Sequence, residues 1–179
     1  MTQHEYISIA IAIILGLAIT RLLHTAAILI RAHERVVFHW APAVWALSVM
    51  IYILQFWWVG WSLRSVDAWI FPHFIVLVFG CTLLYGAAEM ALSEPGEGVL
   101  DLLHHSQQLG RLSALFMLLY FLVGPYVNIV MYNNPILPSV VVPVAGILLM
   151  LLTIFIPSRF RLWSVLFAGH SIAVVLLTV

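Results

Sequence analysis

The sequence predicts an all-α, polytopic membrane protein, a bundle of six transmembrane helices forming a single domain over residues 1–179. Three observations lead there. The chain is 64% hydrophobic and only 8% charged, whereas a soluble domain carries about 25% charged residues. Six apolar stretches reach the roughly 20 residues that a helix needs to cross a bilayer. The stretches are too long and continuous for the alternation of a membrane barrel.

The six spans fall at about 6–30, 38–62, 70–92, 112–132, 137–156 and 160–179, with ends good to roughly two to four residues. The first, YISIAIAIILGLAITRLLHTAAILI, is apolar throughout except for Thr20-Arg21 and His24-Thr25. Short polar joints separate the spans: Arg31 to Arg35, Arg64 to Asp67, the turn Asn133-Asn134-Pro135, and Pro157-Ser158-Arg159. The segment from Ser93 to Arg111 is longer and acidic. In it Val99, Leu100, Leu102, Leu103 and Leu109 interleave with Asp101, His104, His105 and Gln107. This pattern predicts a short amphipathic interfacial helix between the third and fourth spans.

Orientation follows from arginine. The chain has seven Arg, no Lys and zero net charge. With the amino terminus outside, Arg31, Arg35, Arg111, Arg159 and Arg161 face the cytoplasm and only Arg64 faces out, as the positive-inside bias prefers. Both termini then lie on the external side. Trp40, Trp45 and Trp163 are expected near the inner interface, and Trp57, Trp58, Trp61 and Trp69 near the outer one, where half-buried indoles are favoured. No basic block suggests nucleic acid as a partner. No basic n-region marks a cleavable signal. The lone Cys81 leaves no intrachain disulfide.

Each span carries polar or small residues at helical spacing, and lipid cannot satisfy such groups, so the stripes are expected to face inward. They are Gly16, Thr20, Arg21 and His24; Ser48, Tyr52 and Gln55; Thr82, Tyr85, Gly86 and Glu89; Tyr120, Gly124 and Asn128; Ser139, Pro143, Gly146 and Thr153; and Gly169, His170 and Ser171. A guanidinium at membrane depth costs roughly 2.5–3.5 kcal/mol by insertion scales. Arg21 therefore calls for a partner, and depth makes Glu89 that partner. The first and third spans run the same way, and their offset of roughly 9 Å is within reach of long side chains. The candidate pathway or buried polar network is Arg21, His24, Gln55, Tyr85, Glu89, Asn128 and His170. In it Arg21 would set the local potential and Glu89 or His24 would exchange protons.

Other chemistries are weaker on the residues. Haem ligation needs two histidines at matched depth, whereas His24, His73 and His170 fall at three different depths. Asp101-x-x-His104-His105, with Glu94 and Glu97 nearby, is half of a metal site that nothing closes. No hydrolase, phosphate-loop or dinucleotide motif occurs, so no catalytic residues are assigned.

Gly16 to Leu23, GLAITRLL, followed by His39-Trp40 and by Gln55-Phe56-Trp57-Trp58, resembles a set of small bacterial multi-pass membrane proteins of unassigned function. The resemblance covers roughly the first 90 residues. It implies a bacterial inner membrane and carries no mechanism. The leading expectation is a conduit or carrier for an ion, proton or small solute, homo-oligomeric because so small a bundle has little room for a private pore. The alternatives are a non-catalytic accessory subunit of a larger membrane complex, and a haem- or quinone-linked electron carrier. No cofactor is predicted.

Overall fold

A computed structural model of the chain describes residues 3–66, 69–96 and 98–178. Asp67, Glu97 and Val179, assigned above to a joint, a half-site and the last span, lie outside the described residues. The described chain is all-α apart from one two-residue bridge. Its helices are α1 (Gln3–Arg31), α2 (Trp40–Gly60), α3 (Phe71–Glu89), α4 (Leu102–Pro125), α5 (Ile136–Phe155) and α6 (Phe160–Thr178). Six helices are long and apolar enough to cross a membrane.

Local chemistry places the ends. His39 caps α2, its Nδ1 accepting from the Ala41 amide at 3.1 Å. Asp101 caps α4, its Oδ1 accepting from the His104 amide at 3.0 Å. Each cap satisfies an amide that the first helical turn leaves without a partner. Asn133 turns the chain between α4 and α5 with φ 54°, a left-handed conformation that asparagine tolerates better than most residues.

The helices form a ring in the order α1, α3, α4, α5, α6, α2, with α2 also touching α3 and α4. Close approach is possible where glycine meets an aromatic ring. A Cβ on Gly86 would lie 2.6 Å from Phe116, on Gly110 2.6 Å from Phe160, and on Gly146 2.7 Å from Phe121. Small residues at such crossings let backbones approach, which matters most where van der Waals contact holds the helices together. Gln3 groups with Trp69–Phe71, and Thr178 groups with Ser62 and Leu63. Both described termini thus lie at one end of the bundle, called here the terminal end.

At the opposite end β1 (Val36–Val37) pairs in parallel with β2 (Leu100–Asp101). This bridge ties the α1–α2 joint to the start of α4. Near it, α1 runs ten residues past Arg21, and Gly110 rather than Leu102 meets the first residue of α6. The last turns of α1 and the first turns of α4 therefore rise together beyond the ends of α3 and α6.

The amphipathic segment is not a separate interfacial helix. Residues 102–111 are the opening turns of α4, which buries Leu102, Ser106 and Gly110 along one stripe that continues through Ser113 and Ala114. Nothing between Leu102 and Arg111 breaks the helix, because Gly110 is held against Phe160. The tryptophans also divide differently. Trp57, Trp58 and Trp61 are exposed at the terminal end, but Trp45 and Trp163 are buried. Trp45 lies on the face that α2 turns toward α6, and Trp163 donates to the Ile156 carbonyl at 2.8 Å.

Candidate functional site

The structure gathers six of the seven candidate residues at two places and leaves His24 outside both. At the opposite end, Arg21 Nε lies 2.7 Å from Glu89 Oε2, and Arg21 Nη2 lies 2.7 Å from Glu94 Oε1. The three side chains are 30%, 28% and 46% exposed, so the cluster sits at a rim and not in the dry interior. The gap between Arg21 and Glu89 closes because α1 overshoots α3. Glu94 was not foreseen as a partner. It stands beyond the end of α3, where only the path of the loop through Ser93 and Pro95 returns it to Arg21.

His24 is exposed. The buried stripe of α1 runs through Ala18, Leu22, Thr25 and Leu29. At about 100° per residue, Arg21 is about 60° from that stripe, but His24 is about 120° away. Thr20 is on the outward side too, and its hydroxyl donates to the Gly16 carbonyl at 2.8 Å. Thr82 does the same toward Val78 at 2.9 Å from an exposed position. A hydroxyl bonded to its own helix needs no inward partner, which is why the polar stripes overstate the inner face. Tyr85 packs at the edge of the core one turn before Glu89.

The other candidates gather at the terminal end around a cavity of about 600 Å³ between α2, α4, α5 and α6. Gln55 and Asn128 line it, together with Tyr52, Phe56, Tyr120, Phe121 and Tyr132. Two prolines shape its wall. Pro125 cannot donate to the carbonyl of residue 121, and the chain after it widens into a π-helical turn over Tyr126–Met131. Such turns are frequent at functional sites. Pro143 sits inside the continuous helix α5, opposite Gly124.

His170 lies behind this wall. Its Nδ1 faces the Tyr52 hydroxyl, and its Nε2 lies 3.1 Å from the Val142 carbonyl. A carbonyl only accepts, so Nε2 carries a proton. In the neutral ring Nδ1 then accepts, and Tyr52 donates to it. Tyr52 and His170 are each eight residues from the terminal-end limit of their helices, about 12 Å deep at 1.5 Å per residue. The cavity lining therefore reaches well into the bundle, as far as Tyr52.

Beyond Tyr52 the interior is filled by aromatic side chains. Trp45, fully buried two turns along α2, sits with ring centroids 4.6 Å from Phe167 and 5.4 Å from Phe160. Its Nε1 donates to Ser113 Oγ at 2.9 Å, and Ser113 donates to the Ala87 carbonyl at 2.8 Å. The sequence predicts an interfacial indole at Trp45, and the structure buries it completely instead. No periodicity distinguishes the two roles, because burial depends on which helix faces α2.

At the mouth the Tyr132 hydroxyl donates to the Val59 carbonyl at 3.1 Å, joining the end of α4 to α2. Tyr132→Phe is expected to cost about 0.5–1.5 kcal/mol, the scale of one hydrogen bond, measured by reversible unfolding in mixed micelles. Asp101 serves as a helix cap, and among the described residues no three His, Cys, Asp or Glu side chains converge as metal ligands. Comparison with family models, curated proteins and solved structures gave no match to this chain.

Proposed function

We propose that this chain is a multi-pass inner-membrane carrier that takes a small solute from the outer face into the terminal-end cavity. The carrying observation is that cavity of about 600 Å³, whose lining runs from Ser62, Leu63 and Thr178 at the terminal end down to Tyr52. That volume lies within the range of small-molecule sites. The orientation rests on arginine, since Arg31, Arg35, Arg111, Arg159 and Arg161 belong to the opposite end and Arg64 to the terminal end. The exposed Trp57, Trp58 and Trp61, with the Arg64 guanidinium 4.4 Å above the Trp61 ring, suit the outer headgroup layer. In this reading the Trp45 plug is the inner gate, and the Arg21 cluster holds α1 to α3 rather than carrying the solute. A through-path for protons is not favoured, because Arg21–Glu89 and the cavity lie at opposite ends on different helix pairs.

Cysteine accessibility tests the reading. Gln55→Cys is expected to react with a membrane-impermeant maleimide added outside intact cells. Reaction only from the cytoplasmic side, or none, rejects the outward cavity. A carrier must also open inward in turn. Ser164→Cys, fully buried near the opposite end, is then expected to react slowly from the inside. Complete protection from both sides leaves a binding protein and removes the carrier.

A further inference from the structure

We infer that the cavity takes an uncharged ring compound bearing a hydroxyl or other hydrogen-bond donor, of the phenol or hydroquinone type. This deepens the carrier reading and rests on it for the site. The lining contains no Asp, Glu, Lys, Arg or His. An ionised ligand about 12 Å inside an apolar bundle would have no counter-charge, and burying an unpaired ion is far costlier than burying a neutral molecule. The walls are aromatic. Tyr52 meets Phe121 edge to face at 5.3 Å and Tyr120 at 6.0 Å, while Phe56 lies 6.1 Å from Tyr120. These rings pack on one another and together present an aromatic wall against which a ring can lie.

The polar groups then decide what the ring must carry. Asn128 is already engaged, donating to the Gly124 carbonyl at 3.0 Å and accepting from Asn134 Nδ2 at 3.3 Å. The Ser139 hydroxyl donates to the Pro135 carbonyl at 2.7 Å. The Gln55 amide and the Tyr120 hydroxyl line the cavity with no hydrogen bond to another described residue. Tyr52 differs from both. Its proton is directed to His170 because the Val142 carbonyl fixes the imidazole tautomer. The Tyr52 oxygen can therefore only accept from a ligand. A quinone, which has acceptors alone, leaves that oxygen unmatched; a phenol or hydroquinone supplies the donor.

The test uses purified full-length protein in lipid nanodiscs with four probes: para-heptylphenol, para-heptylanisole, heptylbenzene and para-heptylbenzoate. Binding is read as the difference between wild type and Gln55→Trp, which obstructs the cavity, in the same lipid, so that partitioning into the bilayer cancels. The phenol is expected to bind roughly tenfold more tightly than the anisole or heptylbenzene, the scale of one hydrogen bond, and the benzoate is expected not to bind. In Tyr52→Phe the preference for phenol over anisole should fall several-fold, while Val142 and its contact to His170 stay in place, which a merely structural role for Tyr52 would not produce. The wild-type comparison stands even if that variant folds poorly. Equal binding of phenol and anisole to wild type overturns the donor requirement and leaves the cavity reading intact. Preferential binding of benzoate overturns the uncharged class. Equal uptake of every probe by wild type and Gln55→Trp overturns the cavity reading itself.

Discussion

Trp45→Ala is expected to lower the stability of the bundle by about 3–5 kcal/mol, the range for truncating a buried tryptophan. The indole is wholly enclosed and touches Phe160 and Phe167 on α6 and Ser113 on α4. Its loss opens a void that rigid neighbouring rings cannot collapse to fill. Trp45→Phe separates the two contributions. It keeps a ring in the site and loses the N–H donor, while Ser113 still donates to the Ala87 carbonyl. A cost of about 1 kcal/mol is expected there. Unfolding into dodecyl sulfate, followed by near-ultraviolet circular dichroism, measures both. If Trp45→Ala were no worse than Trp45→Phe, packing would not be what holds this end closed. In the carrier reading the same substitution also lets Ser164→Cys react faster from the inside.

Removing both carboxylates around Arg21 is expected to have the next largest effect. Either single variant, Glu89→Gln or Glu94→Gln, leaves the other carboxylate at 2.7 Å from the guanidinium, so a loss below about 0.5 kcal/mol is expected for each at this part-exposed site. The double variant Glu89→Gln/Glu94→Gln leaves the cation with no opposite charge. Here about 1–2 kcal/mol is expected, discounted from the roughly 2.5–3.5 kcal/mol of an arginine at membrane centre because the cluster lies at a rim. The two costs should fail to add, since each glutamate partly replaces the other. A double-mutant cycle in the same unfolding assay checks this. A double variant as stable as wild type would mean that Arg21 is solvated by headgroups or water and needs neither carboxylate.

Much of the architecture could be read from apolar length. The spans expected at about 38–62, 70–92 and 137–156 correspond to Trp40–Gly60, Phe71–Glu89 and Ile136–Phe155. The fourth helix shows where that signal stops. His104, His105, Gln107, Gln108 and Arg111 lower the hydropathy of its first turns, so a reading tuned to lipid begins the span near residue 112. Backbone hydrogen bonding is indifferent to lipid, and the helix starts at its Asp101 cap. The Arg21–Glu89 pairing was legible because depth along two parallel helices is arithmetic on residue number. The Tyr52–His170 contact was not, although both residues lie at equal depth from the terminal end. Choosing α6 as the neighbour of α2 requires the ring order, and six similar apolar helices do not encode that order in any short pattern. The π-helical turn is an intermediate case. Pro125 announces a break, but only packing decides whether the chain kinks or widens.

The ring order bears on biogenesis. Successive helices are neighbours from α3 to α6, but the circle is completed by α6 lying against α2. On the ribosome α2 emerges more than a hundred residues before the segment carrying Phe160 and Phe167. Until then Trp45 has none of its aromatic partners, and the nascent chain exposes an incomplete seam. Closure of that seam is thus a late, long-range step, and a product truncated before α6 would leave the Trp45 face of α2 uncovered.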